Sequence, residues 1–269
     1  LKPATTPAPQ TDTVRRQQVK RLADAICLPA STLTPQERHM AGDVLVELLR
    51  STEPEIREAV AKRLVMLNEA PRTILVILAK DDIAIARHVL ENSKSLTDSD
   101  LIQLARKVKM HHRLMMAQRR HVSDAVVDVL VEFMEEPVIE MLLKNNGSSL
   151  SDTAIQRILV ASRAHQPYVE LLARREELRP SHGLTMYWWA DGANRRRILK
   201  RFAVTRHVLQ DTVADLYPIA AAEGWNDSGV RKALQFIERR QRNRAAAERS
   251  SISDQEAVIE ENAPKGHTR

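Results

Sequence analysis

Glycine is scarce, with 7 in 269 residues, roughly a third of what average usage of about 7% would give. A chain so poor in glycine lacks the freedom needed for phosphate-cradling loops, tight hairpin turns and close backbone approaches. Aromatics are also few, at 3 Trp, 3 Tyr and 3 Phe, as are alternating β-branched runs, which argues against a sandwich or barrel. The single cysteine, Cys27, excludes an intramolecular disulfide framework and a cysteine-rich zinc site, and suits a reducing cytoplasm. No run of about 18 apolar residues occurs, so the sequence offers no transmembrane span. GxSxG elbows, P-loops and HExxH motifs are likewise missing. Most nucleotide-dependent and all-β readings fall at this point.

What the sequence does contain is helix after helix. Thr34-Pro35-Gln36-Glu37 has the residues of a capping box, with proline at the first helical position. Met40, Ala41, Val44, Leu45, Leu48 and Leu49 then form one apolar stripe. Pro54 and Pro71 open further helices, and Ile74-Leu75-Val76-Ile77-Leu78 is apolar all round, as in a helix buried on both sides. Thr97 with Asp100, Ser123 and Ser151 are caps, and Asn146-Gly147 reads as a helix end. One set of starts falls near Pro54, Asp82, Met110, Pro137 and Pro167, and a second near Pro71, Thr97, Ser123 and Ser151. Both recur every 25 to 30 residues, one helical hairpin per period, which is the signature of a right-handed α-solenoid. The alternative is an irregular bundle whose helices happen to be of even length.

Arg87-His88-Val89-Leu90-Glu91-Asn92-Ser93, Leu96 to Ile102, the stretch from His112 to Leu130, Leu142-Leu143-Lys144-Asn145 and Arg174 to Leu178 resemble a bacterial family of HEAT-like helical repeats of unknown function. The resemblance runs from about Leu33 to Phe202. It implies an all-α repeat scaffold, with no established activity and a loose association with bacterial signalling. Met115-Met116 depart from the smaller apolar residues usual before Ala117, which alters local packing only.

We divide the chain into a disordered arm (1–12), HEAT-like hairpins (13–179), a C-terminal helical subdomain or solenoid cap (180–244) and a disordered tail (245–269). Seven of the nine aromatics lie after Pro180, and from Tyr187 to Arg249 thirteen basic residues face seven acidic ones. That excess equals the net charge of the whole chain, +6. The periodic register fades in this segment. Its sharpest feature is Trp188-Trp189 followed by Arg195-Arg196-Arg197-Ile198-Leu199-Lys200-Arg201-Phe202. On a helix, Arg197 and Arg201 share a face while Ile198, Leu199 and Phe202 pack the other. Arg195, Arg196, Arg197, Lys200 and Arg201 are then a cationic strip for an acidic partner, or a solvated face above a core holding the tryptophans. The second reading is the more economical. A further run, Arg239-Arg240-Gln241-Arg242-Asn243-Arg244, suits a helix C-terminus.

Signs of chemistry are thin. His111 and His112 are adjacent and point to different faces, and the remaining histidines have no carboxylate at ligand spacing. Cys27 follows Leu22, Ala23 and Ile26 and reads as a small core residue. Acidic pairs at 81–82, 135–136 and 176–177 sit where helix N-termini need them. Arg57, Arg87, Arg119 and Arg157 recur at related places, as a ladder along one face or as ordinary surface and inter-repeat donors. The expectation is a cytoplasmic, non-enzymatic scaffold or adaptor for a protein partner, with no metal and no cofactor. Arg195, Arg196, Arg197, Lys200, Arg201, Arg87 and Arg119 are its candidate contacts. The alternative is a nucleic-acid-binding module that uses the basic C-terminal subdomain.

Overall fold

The computed structural model describes residues 9–27, 34–202, 205–222, 231–240 and 242. The described residues are helical, with no strand and a single isolated bridge, Val122 to Ser148. In order, the helices are α1 (Pro9–Cys27), α2 (Pro35–Arg50), α3 (Pro54–Leu64), α4 (Arg72–Leu78), α5 (Ile83–Asn92), α6 (Asp98–Ala105), α7 (Met110–Ala117), α8 (Asp124–Glu132), α9 (Glu136–Lys144), α10 (Asp152–Ala161), α11 (Gln166–Leu172), α12 (Pro180–Met186), α13 (Gly192–Arg201) and α14 (Arg206–Ala222). Residues 231–240 form a further helix, α15. α1 begins inside the stretch read as an arm. Residues 1–8, the tail after 242 and the side chain of Cys27 lie outside the described residues.

The written caps work as expected. Thr34 Oγ1 accepts from the Glu37 amide at 3.3 Å, and the Glu37 carboxylate accepts from the Thr34 amide at 2.8 Å. The Thr34 amide and hydroxyl, both donating to the Glu37 carboxylate, hold its carboxyl below the ordinary value. Thr97 and Asp100 form the same box at α6. From α3 to α9 the helices have only 7 to 11 residues, too short to persist alone in water. Burial against neighbours must hold them.

The chain divides into two compact units, residues 1–158 and 159–269. In the first, α1 packs on α3, α3 on α5, α5 on α7 and α7 on α9, while α2 packs on α4 and α6 on α8. Most of these helices therefore meet a next-but-one helix as well as a sequence neighbour. Ile74, Leu75, Leu78, Ile85, Leu90, Leu130 and Ile139 are fully buried between them. α4 departs from the all-round burial its sequence implies, because Val76 and Ile77 remain half-buried.

Polar side chains repeat this next-but-one register. Ser95, beyond α5, donates to the Asn68 carbonyl beyond α3 at 3.0 Å. Arg119, beyond α7, donates from both terminal nitrogens to the Leu90 and Ser93 carbonyls at the end of α5, at 2.6 and 2.7 Å. Asn145, beyond α9, donates to the Ala117 and Arg119 carbonyls at the end of α7, at 2.8 and 2.7 Å. Arg119 and Asn145 thereby satisfy carbonyls that the end of an earlier helix leaves open, while Ser95 ties down a loop carbonyl. Burial pulls the Arg119 guanidinium below its ordinary pKa. Gly147 is not a left-handed helix end. The helix cap is Asn145, and a Cβ at Gly147 would stand 1.8 Å from the Arg120 carbonyl oxygen. This glycine is there for a close approach of two loops.

At the opposite helix ends the links are ionic. The Arg57 guanidinium forks onto Asp81 at 2.7 and 2.9 Å and donates to the Thr52 carbonyl. Arg113 forks onto Glu135 and donates to the Ala105 and Val108 carbonyls, with its guanidinium 3.9 Å above the Phe133 ring. Arg72 pairs with Asp100. The acids at 81 and 135 thus receive arginines from 24 and 22 residues back, a role beyond the helix-terminus one read from sequence.

In the second unit the packing centres on α12 and α14. Leu184, Leu216, Ile219, Ala220, Ala233 and Ile237 form its core, with Tyr187, Trp188 and Trp189 packed against it. Every residue from Ser181 to Met186 is buried. Gly183 makes room for Phe202, whose ring would lie 2.5 Å from a Cβ there.

The helix starts correct one expectation. Odd-numbered helices begin at 54, 83, 110, 136, 166 and 192, and even-numbered ones at 72, 98, 124, 152, 180 and 206. The period therefore persists to α14. It is hidden in α12 because that helix buries Ser181, His182 and Thr185 where an apolar stripe would be read.

Candidate functional site

α13 carries the basic strip, and its boundaries follow from its sequence. Asp191 caps it, accepting from the Asn194 amide at 2.8 Å. Lys200 and Arg201 occupy the last turn, where cations favour the negative end of the helix dipole. Only Asn194 and Ile198, four residues apart, are buried, so the helix turns a narrow edge to the core and leaves most of its circumference outside.

The structure treats the five cations differently. Arg201 donates to the Ala173 and Arg175 carbonyls, both at 2.7 Å, and its guanidinium lies 4.8 Å from the Phe202 ring centroid. This is the Arg119 arrangement repeated beyond α11. Arg195 donates to the Tyr187 and Trp188 carbonyls at 3.0 and 3.4 Å and lies over the Tyr187 ring. Arg197 donates to Asn194 Oδ1 at 2.9 Å and stands 3.7 Å from Glu170. Arg196 and Lys200 are exposed and have no partner among the described residues. Leu199 is 50% exposed, which corrects its expected place in the core. It sits one residue past Ile198, about 100° around the helix, and only the 194/198 edge faces inward. Arg195, Arg196, Leu199 and Lys200 therefore form one outer face.

Around α13 the aromatics are linked. The Tyr187 and Trp188 rings meet edge-on at 5.6 Å, and Trp188 and Phe236 at 5.4 Å. Arg240 lies over Phe236. Trp189 donates from Nε1 to Ser162 Oγ at 2.9 Å. Both tryptophans are half-buried and pack against the subdomain core rather than filling it.

The four-arginine ladder does not form. Arg57 is committed to Asp81 and Arg119 to carbonyls, while Arg87 and Arg157 are exposed without partners among the described residues. Three histidines do have carboxylates, contrary to the sequence reading. His88 Nε2 stands 3.0 Å from Glu58, His207 Nδ1 2.8 Å from Asp211, and buried His182 Nε2 3.8 Å from Asp215. Two of these pairs, 30 and 33 residues apart, are invisible at local spacing. His182 also faces Arg179, at 2.8 Å, and nearby Thr185 Oγ1 and Trp188 Nε1 are buried without a hydrogen-bond partner. These groups make a polar seam between α12 and α14. Within either unit, the described residues bring no three metal-ligating side chains together.

A scan against protein families matches residues 85–260, more than half of the chain, to the family described as "Uncharacterised protein conserved in bacteria (DUF2336)". The chain belongs to this family. The family span starts within α5 and takes in α13 and α15, beginning later and ending further on than the resemblance read between residues 33 and 202. Neither the curated proteins nor the solved structures yield a match. No helix among the described residues is long and apolar enough to cross a membrane.

Proposed function

We propose that this chain is a scaffold or adaptor without catalysis of its own, a right-handed α-solenoid of HEAT-like hairpins that binds a protein partner in bacterial signalling or regulation, in the cytoplasm. The observation that carries this reading is the next-but-one register. Helix starts recur every 26 to 30 residues, and carbonyl-directed donors recur with them at Ser95, Arg119, Asn145 and Arg201. Repeats of this kind present equivalent helix faces side by side, which suits recognition of another polypeptide. α13 is the face we assign to contact. It combines arginine with an exposed leucine beside Tyr187 and Trp188, the residue types enriched where protein interfaces are strongest.

The test is capture from the native host with tagged full-length protein at native level, comparing wild type with the Arg196→Glu/Lys200→Glu variant. A protein held by the wild type and lost with the variant supports the assignment. Recovery of none above background overturns it. Capture that disappears on nuclease treatment, with affinity falling by a log–log slope of about 0.9 per phosphate contact, replaces it with the nucleic-acid reading.

A further inference from the structure

The α13 face has a candidate occupant in the chain itself. Arg195, Arg196, Leu199 and Lys200 stand at i, i+1, i+4 and i+5, and the ten residues of α13 include five cations and no acid. Their surroundings do little to neutralise them. Carbonyl oxygens accept hydrogen bonds from Arg195 and Arg201 without cancelling their charge, and Arg196 and Lys200 have no partner among the described residues. Residues 159–249 hold 17 basic and 10 acidic side chains. The sequence that follows reverses the sign. Ile252-Ser253-Asp254-Gln255-Glu256-Ala257-Val258-Ile259-Glu260-Glu261 has four acids, no base and three branched apolar residues. It complements the α13 face in charge and offers apolar groups for Leu199.

The path is short enough. Phe236 of α15 touches Trp188, whose carbonyl accepts from Arg195, so α15 lies beside the start of α13. From Arg242 to Asp254 there are 12 residues, which reach about 40 Å when extended. A tether of this length holds the segment at an effective concentration on the order of millimolar. Exposed ion pairs are individually weak, but such a tether lets even a millimolar affinity occupy the face.

We propose that residues 252–261 dock on the Arg195/Arg196/Leu199/Lys200 face of α13 and cover it, so that a partner must displace them. This rests on the reading of α13 as the contact face and adds its regulation.

The experiment uses full-length protein and a glutamate-specific protease, following cleavage after Glu256, Glu260 and Glu261 by mass spectrometry. Rates are normalised to a free peptide of residues 250–262, and circular dichroism checks each fold. Arg196→Glu/Lys200→Glu is expected to speed cleavage about 5-fold at low salt, and about 0.5 M salt to bring wild type to the same rate by screening. Adding Glu260→Lys/Glu261→Lys to that variant is expected to restore protection at Glu256. An unchanged rate in both the variant and high salt overturns the proposal. So does protection set by Arg239→Glu/Arg240→Glu instead, or protection that rises with protein concentration, which would mean a second copy. No partner is present in this assay, so its failure leaves the capture experiment to judge the contact face separately.

Discussion

The two compact units differ in net charge although both tie arginines to carboxylates and to carbonyls. Residues 1–158 carry 22 basic and 21 acidic side chains, and residues 159–269 carry 19 and 14. In the first unit Arg57 and Arg113 fork onto Asp81 and Glu135 of another hairpin, and Arg72 pairs with Asp100 through one nitrogen. Arg119 of the first unit, and Arg195 and Arg201 of the second, donate instead to main-chain carbonyls, while Arg175 of the second pairs with Glu177. A carboxylate cancels the charge it binds, whereas a carbonyl satisfies the donor and leaves the field standing. The first solution holds hairpins in register. The second does so while keeping a positive surface, which is why the contact face is assigned to α13.

The tryptophans give a way to separate the units. All three, at 188, 189 and 225, belong to the second, so fluorescence reports that unit while circular dichroism reports all helices. The largest effect is expected at Arg113, whose side chain is only 9% exposed beside Glu135. Arg113→Met should cost roughly 3 kcal/mol by leaving Glu135 without its counter-charge, seen as a lower denaturation midpoint by circular dichroism. Adding Glu135→Leu should recover much of the loss, and no recovery would show that packing over Phe133 matters more. Gly147→Ala comes next, at about 2 to 3 kcal/mol, because the new Cβ collides with the Arg120 carbonyl.

Arg119→Met and Arg201→Met strip the same clamp from the two units. Each should cost about 1 to 3 kcal/mol through carbonyls left open, the Arg201 change lowering the fluorescence midpoint. Equal losses would make the clamp one device used twice, and a negligible loss at Arg201 would break the likeness.

A smaller effect is expected at Asp100. Burial pushes its carboxyl up, but Arg72 and Thr97 outweigh that and hold it below the ordinary 3.8. Its contribution is therefore complete above that value and is lost as pH falls through the lower folded one. The stability gap between wild type and Asp100→Asn should be full at about pH 6 and shrink as acid is added below pH 4. The smallest effect is a gain. Met134 has φ of 49°, which glycine adopts without the Cβ penalty, so Met134→Gly should stabilise by about 0.5 kcal/mol.

Local chemistry was legible where caps and apolar stripes repeat within one turn of helix, although the His207–Asp211 pair at i, i+4 contradicts the reading of the histidines. The Thr34 and Thr97 boxes and most starts from Pro54 to Pro167 could be read because caps and stripes act between neighbours three or four residues apart. The α12 start could not, since its buried face is polar and its stability comes from contacts with α14. Leu199 was misplaced for a related reason, because hydrophobicity does not say which edge of a helix meets the core.

The sequence by itself determined the all-helical class, the hairpin period and the concentration of charge after Tyr187. Tertiary structure alone decided which cations are spoken for. Arg201 and Arg119 look like free surface arginines along the chain, yet their acceptors lie 26 to 29 residues away. Arg196 and Lys200 differ from them only in pointing outward. A carbonyl becomes an available acceptor when a helix ends beside the donor in space, and no local pattern of residues encodes that meeting.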